Sequence, residues 1–283
     1  MIISTFISNI PKWEEFLYIF EKIAPNVYRA THKQTGEVSV LNTNQHDEIS
    51  QELFDQLELF KQTPEEGLGE KIPMATINQL DDALIYQYEI LLAGVVRARM
   101  IASGKNPDTA NLEYLFNWLE ETNFFTTPAS SMYHEAYPRG LVQHTLKVYN
   151  KICDMWKVEE FSEVAIHAAA LVALVHDWCK IGLYEEYMKN VKDEATGQWY
   201  KEPAYRRTVE RTICTFGHGV SSMYLASKFF KMTTEEALAI RWHMGEYNVC
   251  DYEMDELHHS NENYPIVHML QFADRLATAG YCK

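Results

Sequence analysis

The sequence lacks the signatures of several large protein classes. Its five cysteines are odd in number and no two have CxxC spacing, which favours a reduced, cytoplasmic protein over a disulfide framework. No apolar run reaches the roughly 18 residues of a membrane helix. The N-terminal MIISTFISNIPKWEE has neither a basic leader nor a small-residue cleavage site, so no signal peptide is expected. P-loop, GxSxG and dinucleotide-binding glycine motifs are also absent.

Positive charge is scarce. The 283 residues contain 25 Lys and Arg against 40 Asp and Glu, for a formal net charge of −15. A protein that coats nucleic acid or lies on an anionic membrane needs a basic footprint. The sequence therefore predicts no broad nucleic-acid-binding surface and no membrane partner. A local basic or metal-charged pocket remains compatible with this charge.

The chain divides at a helix-breaking segment, Ser103–Pro107. Residues 1–104 predict a small α+β accessory region of unknown role. In that region Trp13–Ile23 has the pattern of an amphipathic helix and Val27–Leu41 that of a hairpin. A long helix is expected from Gln79 to Ser103.

Residues 105–283 have mainly helical periodicity. The pattern predicts helices over residues 108–125, 141–157, 162–181, 220–231, 233–244 and 265–279. Residues 183–212 interrupt them and have Thr196-Gly197 at their centre, which suggests a hairpin. This segment is either a lid that stacks a base or a solvated hairpin packed by its own aromatic rings. The fold class expected is mainly α, a helical bundle with a hairpin excursion.

Three polar features lie where apolar residues are expected. His144 is in helical phase with Leu141 and Val148, and Asp274 occupies an equivalent position in the last helix. His176-Asp177 ends an apolar run in the stretch LVALVHDWCKIG. A carboxylate in an apolar setting is costly unless a cation or several donors meet it. A shared metal accounts for all three together.

Two further histidines, His218 and His243, lie at predicted helix ends. Each is either a metal ligand or a cap or surface residue. The intervals between the five positions have helix-to-helix lengths, so each ligand would come from a different helix of a bundle. A second His-Asp pair, His46-Asp47, lies in polar sequence and is interpreted as a helix start.

The order His, His-Asp, His, His, Asp resembles the HD-domain superfamily of metal-dependent phosphohydrolases. HDWCKIG is similar to its HD-x-x-K-x-G stretch and QFADRLAT to its A-D-R-L segment. YHEAYPRGLVQHTLKV resembles the H-x-x-x-x-G-G-L-L-x-H-T entry of HD domains in bacterial 3′–5′ exoribonucleases and relaxase-associated proteins. Arg139 stands where those proteins often have the first glycine. The resemblance covers roughly residues 108–283.

The resemblance implies an HD-type hydrolase domain over residues 105–283 with one or two divalent transition metals, Fe, Mn, Zn, Ni or Co. The implied ligands are His144, His176, Asp177, His218, His243 and Asp274. Asp177 would touch both metals, the second being held by His218 and His243.

Three residues are expected to meet the substrate. Lys180 is assigned to phosphate binding and to transition-state charge, unless it is a solvated surface lysine. His134 and Arg139, from the loop before His144, are candidates for holding substrate phosphate. Gly140 would let that loop close on the site.

The function expected is a metal-dependent phosphohydrolase or phosphodiesterase. It would act on a nucleotide or a nucleic-acid end through a metal-activated water, with Asp177 and Lys180 as catalytic residues. The same ligand set also serves HD-type di-iron oxygenases, and a non-catalytic nucleotide-binding regulatory module is a third alternative.

Overall fold

The chain divides into two compact units, Met1–Asn117 and Trp118–Lys283. The computed structural model describes residues 18–24, 27–32, 38–42, 68–78, 80, 82–107, 110, 112–208, 216–247 and 249–279. The division predicted at residues 104/105 lies earlier in the chain. His46-Asp47 is outside the described residues.

The first unit contains a three-stranded antiparallel sheet in the order β1 (Tyr18–Ala24), β2 (Val27–His32) and β3 (Val38–Asn42). The hairpin expected from Val27 is confirmed as the β2–β3 pair, in which Val27 lies opposite Asn42. The helix predicted over Trp13–Ile23 is wrong where the chain is described. The β-branched and aromatic residues of β1 favour an extended strand, and pairing with β2 satisfies its backbone.

Two helices are described after the sheet in this unit, α1 (Met74–Ile77) and α2 (Asp82–Ala102). The long helix predicted from Gln79 is thus confirmed, with a later start. The next helix, α3 (Glu113–Glu121), is shorter than predicted. Among the described helices none is long and apolar enough to cross a membrane.

The second unit is mainly helical, as predicted. Its longer helices are α4 (Gly140–Trp156), α5 (Ile166–Val175), α6 (His218–Ser227), α7 (Thr234–Trp242), α8 (Met254–Asn263) and α9 (Pro265–Thr278). Helix α7 begins with the capping box of Thr233 and Glu236 that their spacing predicts. Helix α8 has no counterpart among the predicted helices.

Helix α5 is the central element of this unit. Every residue from Ala168 to Val175 is buried, and the helix packs against α4, α6, α7 and α9. A helix that is apolar on all sides must be surrounded by other elements. The polar residues at its C-terminal end are therefore delivered into the interior of the bundle.

The excursion forms a hairpin of β4 (Tyr184–Lys192) and β5 (Trp199–Arg207). Its register runs from Tyr184 opposite Arg207 to Lys192 opposite Trp199. At the turn, Asp193 Oδ1 accepts hydrogen bonds from the backbone N–H groups of Ala195 and Thr196. The predicted hairpin is confirmed over these residues, whereas residues 209–215 are outside the described part.

Candidate metal centre

Helix α5 ends at Val175, directly before His176-Asp177, so it is shorter at both ends than the helix predicted over residues 162–181. His176 N still donates to Val172 O at 3.1 Å, after which Asp177 leaves the helical conformation. A 3₁₀ turn, Trp178–Lys180, follows. Ser222 Oγ of α6 accepts a hydrogen bond from Cys179 N at 3.0 Å. The turn is therefore tied to α6, and His176 and Asp177 have fixed positions.

The first donor group joins three helices of the bundle: His144 on α4, His176 at the end of α5 and Asp274 on α9. His144 Nε2 lies 3.1 Å from Asp274 Oδ1 and 3.4 Å from His176 Nε2. His144 and His176 are fully buried, and Asp274 is 8% exposed. The apolar stripes around His144 and Asp274 face the core, as their periodicity predicts.

The second donor group consists of Asp177, His218 and His243. Helix α6 approaches the end of α7 closely, because a Cβ on Gly219 would lie 2.1 Å from Arg241 O. This approach places the rings of His218 and His243 with centroids 5.0 Å apart. The structure brings both histidines to Asp177, with the His243 side chain buried and the His218 side chain partly exposed.

Asp177 lies between the two groups and turns a different oxygen towards each. Oδ2 lies 3.3 Å from His176 Nε2 and 3.4 Å from His144 Nε2. Oδ1 lies 3.0 Å from His218 Nε2 and 3.6 Å from His243 Nε2. The two oxygens of one carboxylate thus face different donor groups.

Hydrogen bonds at Nδ1 orient the rings of His176 and His243. His176 Nδ1 lies 2.8 Å from Ala173 O, and His243 Nδ1 lies 2.7 Å from Ile240 O. In a neutral imidazole whose Nδ1–H donates to a backbone carbonyl, Nε2 carries the lone pair and is the nitrogen available to a metal. Both Nε2 atoms point to the centre.

Burial and neighbouring charges shift the pKa values of these groups in opposite directions. Burial disfavours protonated His176, but the Asp177 carboxylate outweighs it and raises the pKa of His176. Burial likewise disfavours ionised Asp274, but a hydrogen bond and charge from His144 hold the pKa of Asp274 well below its usual range. Two carboxylates thus remain ionised in the interior, and their negative charge favours the binding of a cation there.

The residues present fit a metal. Each donor group has its ligand atoms within 4.8 Å of one another. His243 Nε2 is buried without a hydrogen-bond partner in the described part of the chain, and an ion or an ordered water would satisfy such an atom. Imidazole and carboxylate donors suit divalent transition metals. The buried histidines and aspartates can therefore hold a metal ion.

A cavity of about 720 Å³ opens onto this cluster. Asp177, Lys180 and His134 line it, and Lys180 Nζ lies 2.6 Å from Asp177 Oδ2. Lys180 is in the 3₁₀ turn rather than on a continuing helix. It is only 7% exposed, which excludes the alternative of a solvated surface lysine.

Arg139 is placed differently from the other predicted substrate residues. It precedes α4 with a positive φ of 68°, and it is not among the described residues that line the cavity. Three other arginines line it instead: Arg207, Arg241 and Arg275. Gly140 packs against backbone, since a Cβ there would lie 2.0 Å from Glu135 O.

Three residues near the centre escaped prediction. Glu135 Oε2 lies 3.9 Å from His144 Nδ1, and Cys179 Sγ lies 3.1 Å from His218 Nδ1. Gln271 Nε2 donates to Trp242 O at 2.9 Å, which ties α9 to the end of α7. Gln271 is one turn from Asp274 on α9, a spacing that could have indicated a shared role.

Comparison of the chain with protein-family models, curated proteins and solved structures finds no significant match.

Proposed function

We propose that the chain is a metal-dependent phosphohydrolase that cleaves a phosphate ester of a nucleotide or a nucleic-acid end. The observation that carries this proposal is the division of the Asp177 oxygens between two His-containing donor groups at the wall of a cavity. The resemblance of the HDWCKIG and QFADRLAT segments to HD-domain phosphohydrolases supports the same reading.

In this proposal the centre takes two divalent transition metals, of the series Fe, Mn, Zn, Ni and Co. His144, His176 and Asp274 would hold one, His218 and His243 the other, and Asp177 both. When bound, such ions lower the pKa of a water and neutralise phosphoryl charge. A chain with a net charge of −15 can then accept an anionic substrate.

Lys180 binds and stabilises the phosphoryl group. Burial alone would lower the pKa of Lys180, but the Asp177 charge outweighs it and raises that pKa. The ammonium therefore stays protonated at neutral pH. It lines the cavity beside Asp177, where a preorganised donor stabilises the charge that develops in the transition state.

His134 supplies a neutral donor to the phosphate. Burial, with the charges of His144 and Lys180, lowers the pKa of His134 to about 4. Its Nε2 is buried without a hydrogen-bond partner among the described residues, and the side chain lines the cavity. Arg139 has no role in this proposal, because it is not among the described residues that line the cavity.

The test is a screen of phosphomonoesters, phosphodiesters and nucleotides with Mn- or Fe-loaded protein, run with and without oxygen, beside Asp177→Ala and Asp255→Ala. Asp255 is an exposed carboxylate on α8 and serves as the matched control. Wild type and Asp255→Ala should release phosphate or nucleotide equally with and without oxygen, and Asp177→Ala should lose at least about a hundredfold in rate.

Two outcomes would contradict the proposal. The first is a metal-loaded protein that hydrolyses nothing in the panel, which favours a regulatory module. The second is oxygen consumption in place of hydrolysis, which favours an oxygenase.

A further inference from the structure

The two faces of the β4–β5 hairpin differ in the residues that lie opposite their cations. On one face, which we call the paired face, Arg206 Nε lies 2.6 Å from Glu185 Oε1. Lys189 on the same face lies directly opposite Glu202. Both cations of the paired face thus have a carboxylate as cross-strand neighbour, an arrangement that stabilises the hairpin itself.

The opposite face consists of the even-numbered residues of β4 and the odd-numbered residues of β5, because side chains alternate along a strand; we call it the open face. Its three cations each lie opposite a neutral residue: Arg207 opposite Tyr184, Lys201 opposite Asn190, and Lys192 opposite Trp199. Glu186 is its single carboxylate. The open face therefore presents a positive surface on an acidic protein.

The open face is continuous with the cavity of the metal centre. Tyr184 and Arg207, the first pair of the hairpin, both line that cavity. Tyr184 also lines a second cavity of about 340 Å³, together with Glu186 and Tyr205 of the same face. From this base, the nine paired residues of β4 extend about 26 Å at the usual rise per residue.

Large apolar groups on the open face are exposed. Trp199 is 70% and Met188 52% exposed. Exposed aromatic and apolar groups in a row, interspersed with cations, mark an interaction surface. Rings that stack on bases and cations that follow a phosphate backbone are the two requirements of a single-strand binding surface.

We propose that the open face binds single-stranded nucleic acid, RNA or DNA, whose end lies in the metal cavity. The placement of the strand's end in the metal cavity rests on the proposed function. A mononucleotide is too short to span the hairpin, whereas a strand of several nucleotides places bases on the rings and phosphates beside the cations. On a chain with a formal net charge of −15, a polyanion is expected to bind where cations outnumber carboxylates, as they do on this face.

The experiment measures binding of end-labelled single-stranded RNA and DNA of about twelve nucleotides, a length within known single-strand site sizes. Fluorescence anisotropy on the full chain, with EDTA to prevent turnover, gives the Kd. The open-face variants are Trp199→Ala and Lys201→Ala. Their matched controls on the paired face are Tyr200→Ala, 49% exposed, and Lys189→Ala.

Trp199→Ala should weaken binding at least about fivefold, since a stacked base contributes on the order of 1–3 kcal/mol. Lys201→Ala should lower the salt slope of log Kd by about 0.7, the value for one phosphate of a single strand. Both controls should stay within about twofold of wild type. Thermal unfolding checks that each variant is folded.

Equal effects on the two faces would overturn the proposal, and so would the absence of oligonucleotide binding, which would leave a protein as the occupant. Hydrolysis of a small phosphodiester by metal-loaded protein is measured in parallel. If the ester is cleaved but the faces do not differ, the strand-binding proposal fails and the phosphohydrolase stands. If the faces differ but no ester is cleaved, the phosphohydrolase fails and the binding surface stands.

Discussion

Lys180 Nζ lies 2.6 Å from Asp177 Oδ2, and both side chains are almost fully buried. The carboxylate faces histidines on its other sides. Burial alone would raise the pKa of Asp177, but the Lys180 charge and then His176 hold it well below its usual range. The lysine therefore keeps the central carboxylate ionised while its own charge faces the cavity.

Replacing Lys180 by methionine should separate catalysis from metal binding. Turnover of a phosphodiester should fall about a hundredfold or more, because one preorganised donor to the transition state is lost. Metal content, measured by mass spectrometry, should match wild type because the proposed ligands remain. Lys228→Met, at the exposed residue directly after α6, is the control. A loss of metal in Lys180→Met would assign this lysine to the assembly of the centre instead.

Glu135 should act as a positioning residue for His144. Its Oε2 lies 3.9 Å from His144 Nδ1, and neither atom has a hydrogen-bond partner among the described residues. Lys147 holds the other carboxylate oxygen at 2.7 Å. Loss of such an outer carboxylate typically lowers metal affinity 10–100-fold, so Glu135→Ala should do so in a metal titration.

Glu135→Gln retains an acceptor and should recover part of that affinity. Glu163→Gln, at an exposed position before α5, should match wild type. If Glu135→Ala also bound metal like wild type, His144 would be oriented by its helix alone.

Gly219→Ala should damage the second donor group. The new Cβ would lie 2.1 Å from Arg241 O and 2.8 Å from Ile240 O, and backbone cannot move aside easily. We expect a loss of about 2 kcal/mol in the free energy of unfolding and a weaker site at His218 and His243. Denaturant unfolding and metal titration measure the two effects. Ser227→Ala, exposed on the same helix, should change neither; a Gly219→Ala variant of wild-type stability would refute the close approach.

His134 should make stability depend on pH. Its pKa in the fold is about 4, lowered first by burial, against about 6.5 in the unfolded chain. As pH falls from 6.5 to 4, the unfolded state takes up a proton that the folded state refuses, so the stabilising contribution is present above 6.5 and lost towards 4.

Metal-free wild type should therefore lose roughly 2 kcal/mol more than His134→Gln over that interval, after allowance for partial exposure. Urea unfolding at several pH values measures the difference. Parallel stability curves for the two proteins would show that His134 titrates normally.

Much of the centre could be predicted because a polar residue on an apolar stripe is conspicuous. His144 and Asp274 were predicted from helical periodicity, and His176-Asp177 from the end of an apolar run. His218 and His243 were ambiguous, since a histidine at a helix end has the same local pattern as a cap. The approach of α6 to α7 at Gly219, which local pattern does not show, brings both rings to Asp177.

Contacts distant in sequence account for what was missed. Local pattern did not reveal that Glu135 faces His144, because the loop between them folds back through a positive φ of 42° at Glu135. The strand β1 was interpreted as a helix because spacing alone cannot show that β2 pairs with it. The residues that share the open face of the hairpin follow from the register of β4 and β5, which the sequence alone does not show.

Metal stoichiometry tests the shared role of Asp177 most directly. Wild type loaded with Mn or Fe and freed of excess metal should contain about two ions per chain. His144→Ala and His218→Ala should each retain about one, and Asp177→Ala should retain almost none. If the wild type held a single ion, or if Asp177→Ala kept both, the two donor groups would not share this carboxylate and the proposed centre would be wrong.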